Sequence, residues 1–109
     1  MEHRDLLAGF VRLHILHHAA EGDVYGRWMI EELGRHGYKL SPGTLYPMLH
    51  TMERRGYLIS SKQNIGRTFR RVYQATPLGR EALEIAQGRV RELVGEIQPR
   101  GRPESGKPA

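Results

Sequence analysis

Between Arg54 and Arg80 the chain carries seven cations, Arg54, Arg55, Lys62, Arg67, Arg70, Arg71 and Arg80, and not one aspartate or glutamate. Such a run is a local positive field suited to a polyanion. Just upstream, Ser41, Gly43, Thr44, Tyr46, Pro47, His50 and Thr51 offer hydroxyls, an imidazole and a glycine, again without an acid among them. Hydroxyls and imidazole bond to bases or phosphates, and glycine lets a backbone approach closely. His14, His17 and His18 form a second group, whose spacing gathers imidazoles on one helix side as a metal site would require. The chain has no cysteine and that run contains no acid, so structural or surface histidines are the better reading and no metal or cofactor is expected.

Enzymatic chemistry finds little footing. There is no glycine-rich phosphate loop, no paired carboxylates at a suggestive spacing and no zinc helix motif, and Ser41 has no evident base partner. At 109 residues, with 39% hydrophobic and 27% charged residues, the chain has the length and composition of one globular domain. Lysine and arginine number 17 against 12 acids, a net charge of +5 that suits nucleic acid. No stretch resembles a signal peptide or a membrane span, so a cytoplasmic location is expected.

These groups must be positioned by elements that the apolar spacing outlines. Leu6, Leu7, Phe10, Val11, Leu13, Leu16 and Ala20 recur at three and four residues, predicting a first helix over 5–20 with those side chains inward. Asp23 is placed to cap a second helix ending near His36, with Tyr25, Met29, Ile30 and Leu33 inward and Glu31, Glu32 and Arg35 outward; Gly37 then terminates it. Ser41-Pro42 predicts the start of a third helix running to Arg55, with Leu45, Met48, Leu49 and Met52 inward. Pro47 loses a backbone bond there, a cost of roughly 3 kcal/mol in an ideal interior, and predicts a strained or bent first turn. Residues 57–62 and 69–75 have strand composition around turn formers at 63–68, predicting a hairpin with a flexible basic tip. Thr76-Pro77 opens a fourth helix reaching about Gln98, and the Pro- and Gly-rich residues 99–109 predict a disordered tail.

The expected fold is therefore mainly α with a β-hairpin wing, a winged helix-turn-helix in the order helix, helix, helix, hairpin, helix. In it the third helix enters the major groove of double-stranded DNA and the wing meets the backbone or minor groove. Candidate DNA contacts are Ser41, Gly43, Thr44, Tyr46, Pro47, His50, Lys62, Arg67 and Arg70, with Arg71 beside them at the tip. Periodicity by itself is equally compatible with a merely capped amphipathic helix, and the less favoured alternative for the wing is a solvated basic turn. A winged-helix module that binds protein is the alternative, disfavoured because both surfaces are basic and polar.

Tyr25-Gly26, Met29-Ile30-Glu31-Glu32-Leu33, the run from Pro42 through Gly43-Thr44-Leu45-Tyr46-Pro47 to Leu58, Gly66-Arg67 and Tyr73-Gln74-Ala75-Thr76-Pro77-Leu78-Gly79-Arg80 resemble the PadR-type transcriptional regulators. The resemblance spans about residues 5–97, and Gly-Thr-Leu-Tyr-Pro is its most specific part. It implies a winged-helix fold, a homodimer formed largely through a single C-terminal helix, a two-fold related operator and repression. It also implies that Thr44, Tyr46 and Pro47 lie on the recognition helix and Gly66 and Arg67 at the wing tip. Arg27 and Trp28 depart from the aromatic usual after the Tyr-Gly pair, which alters the contacts of the second helix's start with DNA or a partner subunit.

Leu83, Ala86, Val90, Leu93 and Ile97, with Val94 beside them, follow the three-and-four spacing of a coiled-coil seam and are the candidate dimer interface. Gly88 and Gly95 weaken that helix, and the pattern spans only about two heptads, so a helix folded back on its own domain is the competing reading. Residues 1–76 are thus read as the DNA-binding unit, 77–98 as the dimerisation helix and 99–109 as the tail. A small-molecule effector of unknown identity is a further partner to consider. Trp28 could wall a flat ligand at a dimer interface, although a core tryptophan fits it better.

Overall fold

A computed structural model describes residues 3–98, which form α1 (Arg4–Glu21), β1 (Val24–Tyr25), α2 (Gly26–Arg35), α3 (Pro42–Arg54), β2 (Leu58–Ile65), β3 (Thr68–Ala75) and α4 (Pro77–Ile97). The expected winged-helix architecture is present: three helices, a hairpin and a fourth helix. The tail at 99–109 lies outside the described residues.

The helices end where the chain chemistry allows. Gly37, at φ +92, and Gly56, at φ +86, take the left-handed conformation that closes α2 and α3. In each, the amide two residues past the cap bonds back, Tyr38 N to the Leu33 carbonyl and Tyr57 N to the Met52 carbonyl, both at 2.9 Å. These closures turn the chain sharply and bring Tyr38 and Tyr57, both half-buried, back onto the core.

That core is built from Val11, Ile15, Leu16 and Ala19 of α1, Met29 and Leu33 of α2, Leu45, Leu49 and Met52 of α3, and Leu58, Tyr73 and Ala75 of the sheet. Burial shifts the stripe of α1 from the one its spacing suggests: Val11 and Leu16 are buried and Leu7, Leu13 and Ala20 half-buried as expected, but Ile15 and Ala19 join them, whereas Leu6 and Phe10 are 75% and 41% exposed. Apolar residues occupy most of the circumference of α1, so period alone does not identify the inward side. Met48 and Ile30 are half-buried and border the core.

A third strand joins the hairpin. β1 pairs antiparallel with β3, Val24 opposite Tyr73 and Tyr25 opposite Val72, giving the order β1-β3-β2. Val24 and Tyr25 are strand-forming residue types, but a pair between two helices is too short to signal a strand by itself, and pairing makes it one. The same pairing corrects the role of Asp23. It does not cap α2, which begins at Gly26 without a side-chain cap, but accepts a hydrogen bond from the Gln74 amide on β3. Ser41 precedes α3 as expected yet makes no side-chain cap bond; its backbone carbonyl receives the Thr44 and Leu45 amides, both at 3.0 Å. Pro47 sits within a helix that continues through it, and its ring is exposed.

The joint between wing and α4 is tight. Thr76 N donates to the Tyr57 carbonyl at 3.1 Å, the Thr76 hydroxyl donates to the Gly56 carbonyl, and Thr76 Oγ1 accepts from Gly79 N at 3.0 Å. Gly79 is buried so closely against the Tyr57 carbonyl that a Cβ would collide with it and press on Leu16. Gly88 has only the end of the Arg91 side chain within 4.0 Å. Gly79→Ala is therefore expected to lower stability by about 1–3 kcal/mol, and Gly88→Ala to raise it by up to about 1 kcal/mol. Urea unfolding midpoints of the two variants check this; equal shifts would show that the joint is not tight.

Candidate nucleic-acid interface

α3 presents its polar side outward. Ser41, Gly43, Tyr46, Pro47 and His50 are exposed, while Thr44 and Thr51 are half-buried beside Leu45 and Leu49. Positions 43, 47 and 50 follow the helical repeat, so the exposed candidates share one stripe and no carboxylate interrupts it. Ser41 Oγ lies 3.4 Å from Thr44 Oγ1, and Arg54 Nη2 donates to Thr51 Oγ1 at 3.3 Å.

Tyr46 is less free than the others. Its hydroxyl end lies against Gly26, the first residue of α2, where any side chain would occupy the same space. The ring is 37% exposed, so one edge packs between the helices while the rest faces out. Gly26 thus sets how α2 and α3 meet, and the aromatic of the Gly-Thr-Leu-Tyr-Pro run is its counterpart.

The wing is longer and its turn tighter than strand composition suggests. β2 and β3 pair from Leu58 opposite Ala75 to Ile65 opposite Thr68, leaving only Gly66-Arg67 as the loop. Gly66 has φ +60 at the first loop position, the requirement that a twist-matched two-residue hairpin places on glycine. The expected flexible tip over 63–68 is thereby replaced by a paired ribbon with Arg67 exposed at its end. Pairing extends β2 beyond Lys62 because Gln63, Asn64 and Ile65 find ladder partners in Arg70, Phe69 and Thr68.

The wing cations occupy different settings. Lys62 and Arg71 are directly opposite each other, an arrangement that repels unless each charge is drawn aside. Lys62 Nζ lies 4.6 Å from the centre of the Phe69 ring, and Arg71 Nη1 donates to Ser60 Oγ at 3.0 Å. Arg70 is held most firmly: its guanidinium stacks 3.7 Å from the centre of the Tyr25 ring, and its Nε donates to Gln63 Oε1 at 3.1 Å. Tyr25, expected inward, is half-buried as this platform.

A carboxylate ties the ribbon to α3. Glu53 Oε2 accepts from Ser60 Oγ at 2.7 Å and from Ser60 N at 3.2 Å, and Ser60 Oγ in turn receives Arg71. The chain Arg71–Ser60–Glu53 orients the wing base. Neither Glu53 nor Ser60 stands out in the sequence, since a surface acid and a strand serine are ordinary; Tyr25-Gly26 is visible there only as a dipeptide of the family pattern.

The proposed dimer residues divide along α4. Leu83, Ala86 and Val90 are half-buried where α4 packs on α1, whereas Leu93, Val94 and Ile97 are 45%, 46% and 59% exposed. A cleft of about 500 Å³ opens between the two helices, lined by Phe10, Leu13, His14, Leu83, Val90 and Arg91 among others. Trp28 lies away from this lining; it packs against the core, half-buried and edge-on to His18 with ring centres 5.2 Å apart. Among the described residues no helix is long and apolar enough to cross a membrane.

Comparison with known proteins accords with this architecture. Residues 15–85 match the model of the transcriptional regulator PadR-like family. The chain is 50% identical over 94 residues, 86% of its own length and 88% of the relative's, to the transcriptional regulator Rv3488 of Mycobacterium tuberculosis (strain ATCC 25618 / H37Rv). Among solved structures it is similar to a PadR family transcriptional regulator from Eggerthella lenta DSM 2243, with TM-score 0.75 and 27% identity, covering 85% of this chain and 82% of that one. It is also similar to the PadR-like regulator BC4206 from Bacillus cereus strain ATCC 14579, with TM-score 0.73 and 26% identity over 87% of this chain and 97% of that one. A family match over most of the chain, a half-identical regulator and a shared winged-helix fold together establish that this chain belongs to the PadR-like family of transcriptional regulators, and is not an enzyme.

Proposed function

We propose that the protein is a sequence-specific repressor that binds a two-fold related operator as a homodimer. The observation that carries this reading is the acid-free exposed stripe of α3, packed in one unit with a paired ribbon whose cations are already oriented. α3 enters the major groove, with Thr44, Tyr46 and His50 nearest the base edges and Ser41, Gly43 and Pro47 at the close approach of its first turns. Lys62, Arg67 and Arg70 of the wing meet the sugar-phosphate backbone or an adjacent minor groove. Residues 1–76 are the DNA-binding unit. Residues 77–98 are the dimerisation helix, in which Leu93, Val94 and Ile97, with Leu83, Ala86 and Val90 behind them, pack against a second copy. The cleft between α1 and α4 is the place for a small-molecule effector, at the edge of that dimer contact. The protein acts in the cytoplasm.

Fluorescence anisotropy against the protein's own upstream duplex and a scrambled duplex, across a salt series, tests the reading. A preference for the upstream duplex that persists as salt rises is expected. Absence of binding even at low salt would favour a protein-interaction module instead. Arg67→Ala combined with Arg70→Ala is expected to weaken binding to both duplexes and to reduce the log-log salt slope by about 0.9 for each phosphate no longer neutralised. Thr44→Ala should instead narrow the difference between the duplexes at unchanged slope.

Gly26→Ala is expected to displace the Tyr46 ring outward and cost at least about tenfold in affinity for the upstream duplex. Its unfolding midpoint should change little, because the displaced group is the far end of an already half-exposed side chain. Leu93→Asp with Ile97→Asp should convert a dimer into a monomer in light scattering; a dimer that survives would place the interface elsewhere.

A further inference from the structure

The imidazoles that the family fold leaves without a role converge between α1 and the C-terminal end of α2. His14, His18 and His36 each offer a ring nitrogen, and these nitrogens lie within 4.8 Å of one another. The acid missing from the 14–18 run arrives from α2: Glu32, expected to face outward, has a side chain only 13% exposed and turns into the cluster. Its Oε1 is held by Arg35 Nη1 at 3.6 Å, which leaves Oε2 to face His36 Nε2 at 3.1 Å and His18 Nε2 at 3.6 Å.

We propose that His14, His18, His36 and Glu32 form a binding site for a divalent transition-metal ion of the Zn²⁺ class. Bonds of about 2.0–2.1 Å in a tetrahedral zinc site put neighbouring ligand atoms about 3.3 Å apart. The 3.1 and 3.6 Å separations around Glu32 Oε2 straddle that edge length, so the carboxylate already stands at coordination spacing from two of the three imidazoles. His14 stands beside them as the third imidazole, its ring centre 4.8 Å from that of His36.

One further observation separates this cluster from a chance gathering of surface histidines. His18 Nε2 is buried and faces Glu32 Oε2 at 3.6 Å, beyond hydrogen-bond distance, so no protein group satisfies it. Three imidazoles with one carboxylate suit Zn²⁺, Co²⁺ or Ni²⁺, whereas Mg²⁺ and Ca²⁺ require oxygen ligands throughout. Arg35 on the far oxygen of Glu32 supplies the outer contact that orients a ligating carboxylate.

A second combination, His17, His18 and Glu21, shares His18 but lies on one exposed face of α1. The two-helix site is favoured because it draws on both α1 and α2 and on the half-buried carboxylate. The proposal stands independently of DNA binding.

Untagged, full-length protein stripped with a chelator and titrated with Zn²⁺ against a chromophoric competitor, and separately with Co²⁺ followed by visible absorption, tests it. One ion per chain is expected, with a tetrahedral Co²⁺ spectrum. His36→Ala and Glu32→Gln should each weaken Zn²⁺ binding at least tenfold while far-UV circular dichroism stays unchanged, and His17→Ala should leave affinity intact. His36 is the chosen variant because its side chain is 45% exposed and its loss leaves the core untouched. No saturable binding at micromolar Zn²⁺, or binding lost in His17→Ala but retained in His36→Ala, would overturn the assignment.

Discussion

The arrangement of α3 and the wing depends on a two-residue pairing, that of Val24 and Tyr25 with Tyr73 and Val72. It fastens the segment between α1 and α2 to the central strand of the wing, so helices and ribbon share one frame. From it follow the stacking of Arg70 on Tyr25, the start of α2 at Gly26 and the seating of Tyr46 against that glycine. Ladder bonds here also give polar backbone groups partners beside a core that buries no charged residue among those described. Tyr73, 1% exposed, sits on the same strand and is the largest side chain in the core, so apolar packing reinforces the pairing.

The polar groups at the base of the ribbon solve a problem that its composition creates. A hairpin carrying Lys62 opposite Arg71 would repel itself were both charges left side by side. Glu53, Ser60 and the Phe69 ring draw the two cations apart, while Tyr25 and Gln63 fix Arg70. Each such contact on an exposed surface is worth little individually, on the order of 0.5–1 kcal/mol. Their effect is to restrict the rotamers of the exposed cations, so that less side-chain entropy would be lost on binding a polyanion.

Helix order, the hairpin and the inward faces of α2 and α3 were legible because period, helix-opening prolines and terminating glycines agree over long stretches. What escaped the sequence depends on distant partners. β1 exists only through β3, Asp23 is drawn from its capping role by Gln74, and Glu32 turns toward His18 of α1 as well as His36 at the end of its own helix. α1 misled because Leu6 and Phe10 carry the right period on the wrong side, where Phe10 lines the cleft facing α4. The exposed polar stripe of α3 is legible as soon as Leu45, Leu49 and Met52 are set inward; the platform under Arg70 is not, since no local rule joins residues 25 and 70.

The Thr76–Gly79 joint makes α4 a lever with a stiff fulcrum. From Gly79 to Ile97 the helix rises about 27 Å at 1.5 Å per residue. A tilt of about 5° at the fulcrum therefore displaces its far end by about 2.4 Å, by simple geometry on that length. In the proposed dimer, with two chains crossed at their far ends, such tilts would add, and the separation of the two α3 helices would be tuned from a site that touches neither. A ligand wedged between α1 and α4 would act on the short side of this lever, where small displacements are amplified.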